Sequence, residues 1–243
     1  ISVLKPLGVC VINQIIEPGR CTTNKNSYIV DKHKLLKVDE VNNSSILNSS
    51  ISKILKIIKN EKNKIIVCSD FRHGIFNKQT SSMFIKTINK NCFKVADSQV
   101  ASRWGNITDF LNFDLITPTE REARYALFEQ DLPIRTLADS LLKKSKAKNL
   151  ILKLGPKGLM SLNQKRNDYV VLDSFVKNMI DSNGAGDALL AYSAASLYVT
   201  NSLIISSIIG LMAASCKCEN EGNKPVKIQD VKNKIEEIET MLN

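Results

Sequence analysis

Apolar residues along this chain fall in short continuous runs in some stretches and at every third or fourth position in others, which separates strands from helices. Residues 28–30 and 35–39 are short apolar-rich runs around the polar segment 31–34, which predicts a β-hairpin. Over 44–59, Ile46, Leu47, Ile51, Ile54, Leu55 and Ile58 fall at helical spacing. A repeating order then begins. Residues 64–69 predict a strand and 78–89 a helix; 93–97 and 114–117 predict strands; 119–128 and 134–145 predict helices; 150–154 predicts a fourth strand of the series. Gly155-Pro-Lys-Gly158 predicts a turn into a hairpin of 159–162 with 169–172, and helices are expected over 185–198, 202–218 and 228–242. Strands that are apolar along most of their length and alternate with helices imply a mostly parallel sheet covered on both faces. No long linker or repeat interrupts the pattern, so a single α/β domain is expected over 1–243.

Composition narrows this little. With 243 residues, 43% of them hydrophobic, the chain can bury one sizeable core. It opens on Ile1 rather than Met, so a preceding N-terminal segment is expected. Lys5 and Pro6 interrupt any signal-peptide pattern, and the longest apolar stretch, 203–215, is too short and serine-rich to span a bilayer. A soluble cytoplasmic protein with no membrane partner is expected. The net charge of +10 comes from 34 Lys and Arg against 24 Asp and Glu. It is nearly all lysine, scattered over helix faces without arginines interleaved with aromatics, so no nucleic-acid partner is expected. The six cysteines show neither CxxC nor zinc spacing; Cys68 and Cys92 read as core residues and Cys216-Lys-Cys218 as a weak metal or redox candidate. His33 and His73 read as solvated loop residues, and Trp104 as a packing anchor.

The segment from Asp181 to Asp187, Asp-Ser-Asn-Gly-Ala-Gly-Asp, stands where a helix begins. A helix N-terminus carries unpaired amides and the positive end of the dipole. With Gly184, Ala185 and Gly186 in the first turn, an anion can approach that backbone closely. A phosphoryl group in transfer is a natural occupant, and Asp187 would then stand beside it as a base for an attacking hydroxyl. The plainer alternative, a turn with an N-cap, stays open at this point.

The stretch DSNGAGDALLA resembles the DTxGAGD signature of the ribokinase/PfkB family of carbohydrate kinases. Five other stretches resemble family motifs in family order. They are CTTNKNSYIVDKHKLLKVDE at 21–40 (the lid hairpin), VCSDFRHG at 67–74, VADSQ at 95–99, LITPTEREA at 115–123 and LILKLGPKGL at 150–159. Within the family the set is most similar to the heptose 7-phosphate kinase module of ADP-heptose synthesis. The resemblance implies a ribokinase-like three-layer fold with a small β lid hairpin over about 22–40 and a nucleotide-binding half over about 114–243. It implies an ATP-dependent transfer of the γ-phosphoryl group to a hydroxyl of a sugar or sugar phosphate.

Residue by residue, the resemblance makes Asp187 the catalytic base and Gly184, Ala185 and Gly186 the anion hole. Thr119, Glu122, Lys153, Gly155, Gly158 and Asn183 fall on the nucleotide side, with Glu122 ordering Mg²⁺ through its waters. Asp181 and Asn183 match positions that hold a monovalent cation, usually K⁺. Lys25 and Asp70, with Asp187, fall on the acceptor side. A homodimer through the lid hairpin is a further implication.

Departures are visible as well. Thr119 replaces an Asn, Ser27 an Arg, His73 a Lys and Gln99 a Lys. The family's first strand, sugar-binding Asp and Gly-Gly motif are not found before residue 22. Asp70 and Asp97 also read as plain strand-end caps, the latter more so. Two other readings remain: a nucleoside kinase of the same fold, and a nucleotide-binding relative without catalysis.

Overall fold

The computed structural model describes residues 4–31, 33–62, 64–100, 106–164, 168–222 and 224–242; Trp104 and the side chain of His33 lie outside this description. The chain divides into two compact units, Ile1–Asn63 with Asp70–Cys92, and Lys64–Ser69 with Phe93–Asn243.

The first unit carries an antiparallel ribbon, β1 (Asn24–Val30) and β2 (His33–Glu40), and helices α1 (Asn48–Asn60) and α2 (Lys78–Thr87). The ribbon starts earlier than the hydrophobic pattern predicts. Its first three residues, Asn24, Lys25 and Asn26, pair with Glu40, Asp39 and Val38, and every residue of β1 is exposed, so no alternation marks the strand. Arg20 ties the segment before the ribbon to the one after it, donating to the carbonyls of Asn42, Ser44 and Ser45. Asn77 and Thr80 close a capping box that starts α2.

The second unit holds the sheet. Its strands are β3 (Ile65–Asp70, whose last residue belongs to the first unit), β4 (Phe93–Ser98), β5 (Leu115–Ile116), β6 (Asn149–Lys153), β7 (Leu159–Asn163) and β8 (Tyr169–Leu172), hydrogen-bonded in that order. β4, β5 and β6 are parallel, and β7 and β8 close the edge antiparallel. The helices are α3 (Glu120–Leu127), α4 (Ile134–Ser145), α5 (Ala185–Thr200), α6 (Leu203–Cys218) and α7 (Ile228–Leu242). β5 is shorter than the predicted 114–117 because Pro118 has no N–H to continue the ladder. Asp114, just before it, instead accepts from the Lys94 amide and the Lys148 ammonium.

Side chains alternate across the strands and so divide the core. Val95, Leu115, Ile151 and Leu159 pack with Leu189, Leu190, Ala194 and Leu197 of α5 and Leu211 of α6. Ile116, Leu150 and Leu152, one residue out of phase, are as fully buried on the side of α3 and α4. Burial of these branched chains is the main favourable term in the fold. Helices α5 and α6 approach closely at Gly210, where a Cβ would stand 1.9 Å from the Ser193 hydroxyl oxygen. That hydroxyl donates to the Ser206 carbonyl at 3.0 Å, which fixes α5 along α6 and hence the position of its N-terminus.

Candidate functional site

Register brings the polar residues together. Val95 pairs with Leu115 and Ala96 with Ile116, so the next residues, Asp97 and Thr117, sit side by side at the carboxyl ends of β4 and β5. Lys153, the last residue of β6, bridges Thr119. Its ammonium lies 3.0 Å from Asp97 Oδ2, and both side chains are largely buried. Thr119 and Glu122 form the capping box of α3: the Thr119 amide donates to Glu122 Oε2 at 2.7 Å and the Glu122 amide to the Thr119 hydroxyl at 3.2 Å. Burial pushes the Glu122 carboxyl above its ordinary pKa; the Lys153 charge opposes the shift and the Asp97 charge adds to it.

Helix α5 begins beside this cluster. Gly184 adopts a left-handed conformation, φ 81°, and no side chain caps the helix. The Ala185 amide turns back to the Ser182 carbonyl, and the first intrahelical bond runs from the Ala188 amide to the Gly184 carbonyl. The Gly186 amide therefore lies ahead of the helical ladder. A Cβ on Gly186 would stand 3.2 Å from the Lys153 ammonium. The loop before the helix is pinned from below, as the Ile180 and Asp181 amides both donate to the Cys218 carbonyl at the end of α6. Asp187 is exposed in the first turn.

Two cavities meet at this cluster. One, of about 420 Å³, runs from Thr119, Lys153, Gly155 and Gly158 across Ala185 and Gly186 to an apolar wall that includes Leu189, Leu211, Ala214 and Cys218. The other, of about 400 Å³, also includes Thr119, Lys153 and Gly155 and continues along α3 past Arg121 and Tyr125. Both sizes suit a small organic ligand. The turn between β6 and β7, which lines the first cavity, packs closely on the end of β8 because residue 158 is glycine. Its φ is 86°, and a Cβ would come within 2.0 Å of the Leu172 carbonyl oxygen.

A family model for pfkB family carbohydrate kinases matches residues 13–228. The chain belongs to this family. Among curated relatives, the bifunctional protein HldE of Sulfurimonas denitrificans is 26% identical over 245 residues, covering 100% of this chain and 50% of that protein. HldE of Helicobacter pylori is 25% identical over 216 residues, with 84% and 44% covered. The chain thus spans about half the length of the curated relatives it matches. The ribokinase of Giardia lamblia superposes with a TM-score of 0.74 at 17% identity, over 97% of this chain and 78% of that one. Phosphofructokinase-2 of Escherichia coli, solved in complex with potassium, gives 0.70 at 17% identity, over 84% and 67%. These likenesses establish the ribokinase-like α/β fold.

Of the residues the pfkB motifs single out, Thr119, Lys153, Gly155, Gly158, Ala185 and Gly186 line one cavity, and Glu122 caps the helix at its edge. The segment holding Asp181, Asn183, Gly184 and Asp187 forms the adjoining loop and helix start. Both carboxylate oxygens of Asp181 accept from Asn183, at 3.1 and 3.4 Å. Lys25 and Asp70 belong to the first unit. There the Lys25 ammonium lies 5.6 Å from the Phe71 ring centroid, and Arg72 engages both oxygens of Asp70. His73 is not a solvated loop residue: it is half-buried with the Thr23 hydroxyl 3.1 Å from Nδ1, and burial pushes its pKa down. Asp97 is more than a strand-end cap, since it pairs with Lys153 across 56 residues of sequence. Cys216 and Cys218 are buried in α6, with burial raising the Cys216 thiol to about 11 and Cys218 in the same direction.

The donor set fits a nucleotide with Mg²⁺. Lys153 lines the cavity with its ammonium beside the first turn of α5, and Gly186 leaves a space there that a larger residue would narrow. Among the described residues no group of three or more His, Cys, Asp or Glu could hold a metal by itself. One or two carboxylates with phosphates and waters is how Mg²⁺ is usually held.

Glu122 supplies a pH test. Its folded pKa is raised, so the folded state holds the proton more tightly than the unfolded chain. The fold therefore loses stability as pH rises from the ordinary carboxylate value to the raised one. Glu122→Gln, which keeps the oxygen that accepts from Thr119, removes that loss. Urea unfolding at about pH 4 and about pH 7.5 should show the variant gaining on the wild type as pH rises. A constant gap between the two would rule out the buried-carboxylate account.

Proposed function

We propose that the chain is an ATP-dependent kinase that transfers the γ-phosphoryl group to a hydroxyl of a sugar or sugar phosphate. The observation that carries the reading is the juxtaposition at the start of α5 of an uncapped glycine-rich first turn, a lysine ammonium and Asp187. The adenosine part of the nucleotide takes the apolar cavity behind Gly155 and Gly158, and its phosphates extend toward Gly186. Glu122 is the residue that would hold Mg²⁺ through waters, and the ion would supply charge that offsets the phosphates. Asp187 removes the proton from the acceptor hydroxyl, a step that needs an exposed carboxylate within reach of the phosphoryl group. Gly184 and Gly186 keep that approach clear of side chains, and Asp181 with Asn183 braces the loop and is the place for a K⁺ ion.

The motif set, most similar to that of heptose 7-phosphate kinase modules, favours a phosphorylated heptose as acceptor, heptose 7-phosphate above all. Lys25 and Asp70 are the acceptor-side residues in this reading, with residues 1–243 acting as one kinase domain. A cytoplasmic location suits the supply of ATP. A second reading, a nucleotide-binding relative that turns over no sugar, draws support from Arg72, which already engages both oxygens of Asp70.

ADP release from ATP, Mg²⁺ and K⁺ over a panel of heptose 7-phosphate, fructose 6-phosphate and ribose separates the two. Asp187→Asn should lower turnover by about 10²–10⁴-fold while ATP still binds. Turnover that survives the change sinks the role of Asp187, and ATP binding without turnover on any sugar favours the second reading. The ribbon also suggests a homodimer, because Tyr28, Ile29, Val30, Leu35 and Leu36 are all more than half exposed. Sedimentation should show a dimer that Leu36→Glu dissociates; a wild-type monomer at high concentration would count against the idea.

A further inference from the structure

A buried ion pair seldom stabilises a fold more than apolar side chains of the same size would, so a pair retained at a cavity wall calls for a reason. Here the pair is incomplete. Asp97 is 4% exposed; its Oδ2 holds the Lys153 ammonium at 3.0 Å, while Oδ1 has no partner. The neighbouring Thr117 hydroxyl is fully buried and also unpartnered. A pair serving packing alone would have its remaining lone pairs satisfied. The ammonium is also held in an awkward place. It lines both cavities and stands beside the first turn of α5, where the helix dipole is positive. Two positive features side by side repel unless an anion joins them, and Asp97 balances only one charge.

We propose that Asp97 is a positioning residue that pins the Lys153 ammonium against the first turn of α5, so that lysine and the Gly186 amide together receive the terminal phosphates of the nucleotide. The inference rests on the nucleotide reading above and adds which side chain meets the phosphates and what holds it there. Asp97 does not touch the nucleotide. It acts through the lysine, and it competes with the phosphates for the same ammonium.

The two members of the pair should therefore change binding in opposite directions. Lys153→Met removes the attracting charge and leaves a buried anion facing the phosphates, so ATP affinity should fall about tenfold or more. Asp97→Asn removes the competitor, so ATP affinity should rise severalfold; turnover should nonetheless fall, because the ammonium is no longer fixed at the reacting group. Adenosine, which has no phosphates, should bind all forms alike.

Calorimetric titration of the intact chain with ATP and Mg²⁺, with inorganic triphosphate and with adenosine tests this. The forms compared are wild type, Lys153→Met, Asp97→Asn and the double variant. Removing one partner leaves a buried charge unpaired, so the double variant provides the folded control: it should keep the wild-type melting temperature and adenosine affinity. Asp97→Asn should lower turnover in the wild-type background and leave it unchanged in the Lys153→Met background. The proposal is overturned if ATP and adenosine affinities move together, or if the variants bind triphosphate as the wild type does. A wild type that binds neither ATP nor adenosine refutes the nucleotide reading itself, a distinct result that takes this proposal with it.

Discussion

Moving a lysine ammonium out of water costs several kcal/mol even after the protein relaxes, and pairing it with a carboxylate recovers that cost only when the geometry is fixed. Much of the second unit fixes that geometry. Parallel register sets Asp97 next to Thr117, and the end of β6 brings Lys153 across to meet them. The Gly210 contact and the Ser193 hydrogen bond hold α5 along α6, and the Cys218 carbonyl anchors the loop ahead of α5. The result is positive charge concentrated at one spot, from a side chain and from a helix end at once. Phosphoryl transfer asks for that kind of site, since positioning and charge supply most of its catalysis.

How much of this could be read from the chain depended on the range of the interactions. Periodicity is a local signal, and it finds α4 at 134–145 and β8 at 169–172 to the residue. It misplaces the start of β1, because an exposed two-stranded ribbon has no buried face to impose alternation. It overextends β5 by one polar residue at each end, Asp114 and Thr117, the second of which is followed by a proline that lacks a donor. The glycine-rich start of α5 is legible for the same reason that periodicity is: its residues are consecutive.

The pairing of Asp97 with Lys153 was not legible. The lysine lies 56 residues away, and only the order of the strands brings the two together. An acid at the carboxyl end of a parallel strand, with a lysine ending another strand of the same sheet, is the signal that could have found it. Cys216 and Cys218 fail in the opposite sense. Two residues apart looks close in sequence, but on a helix it is about 200° of rotation, so the thiols face different surroundings. Cys216 donates toward the Asp230 carbonyl, whereas Cys218 lines the cavity. Burial raises both thiols, which leaves them poor ligands and poor nucleophiles.

Membership of the pfkB family places this chain among carbohydrate kinases, and the site proposed at the start of α5 would tie that placement to its own residues. Backbone amide NMR during a titration with ATP and Mg²⁺ tests that site most directly. The account predicts that the Gly186 amide proton shifts strongly downfield, as a donor does when it meets an anion, and that adenosine alone leaves it in place. Strong shifts elsewhere in the chain with Gly186 unmoved would contradict it.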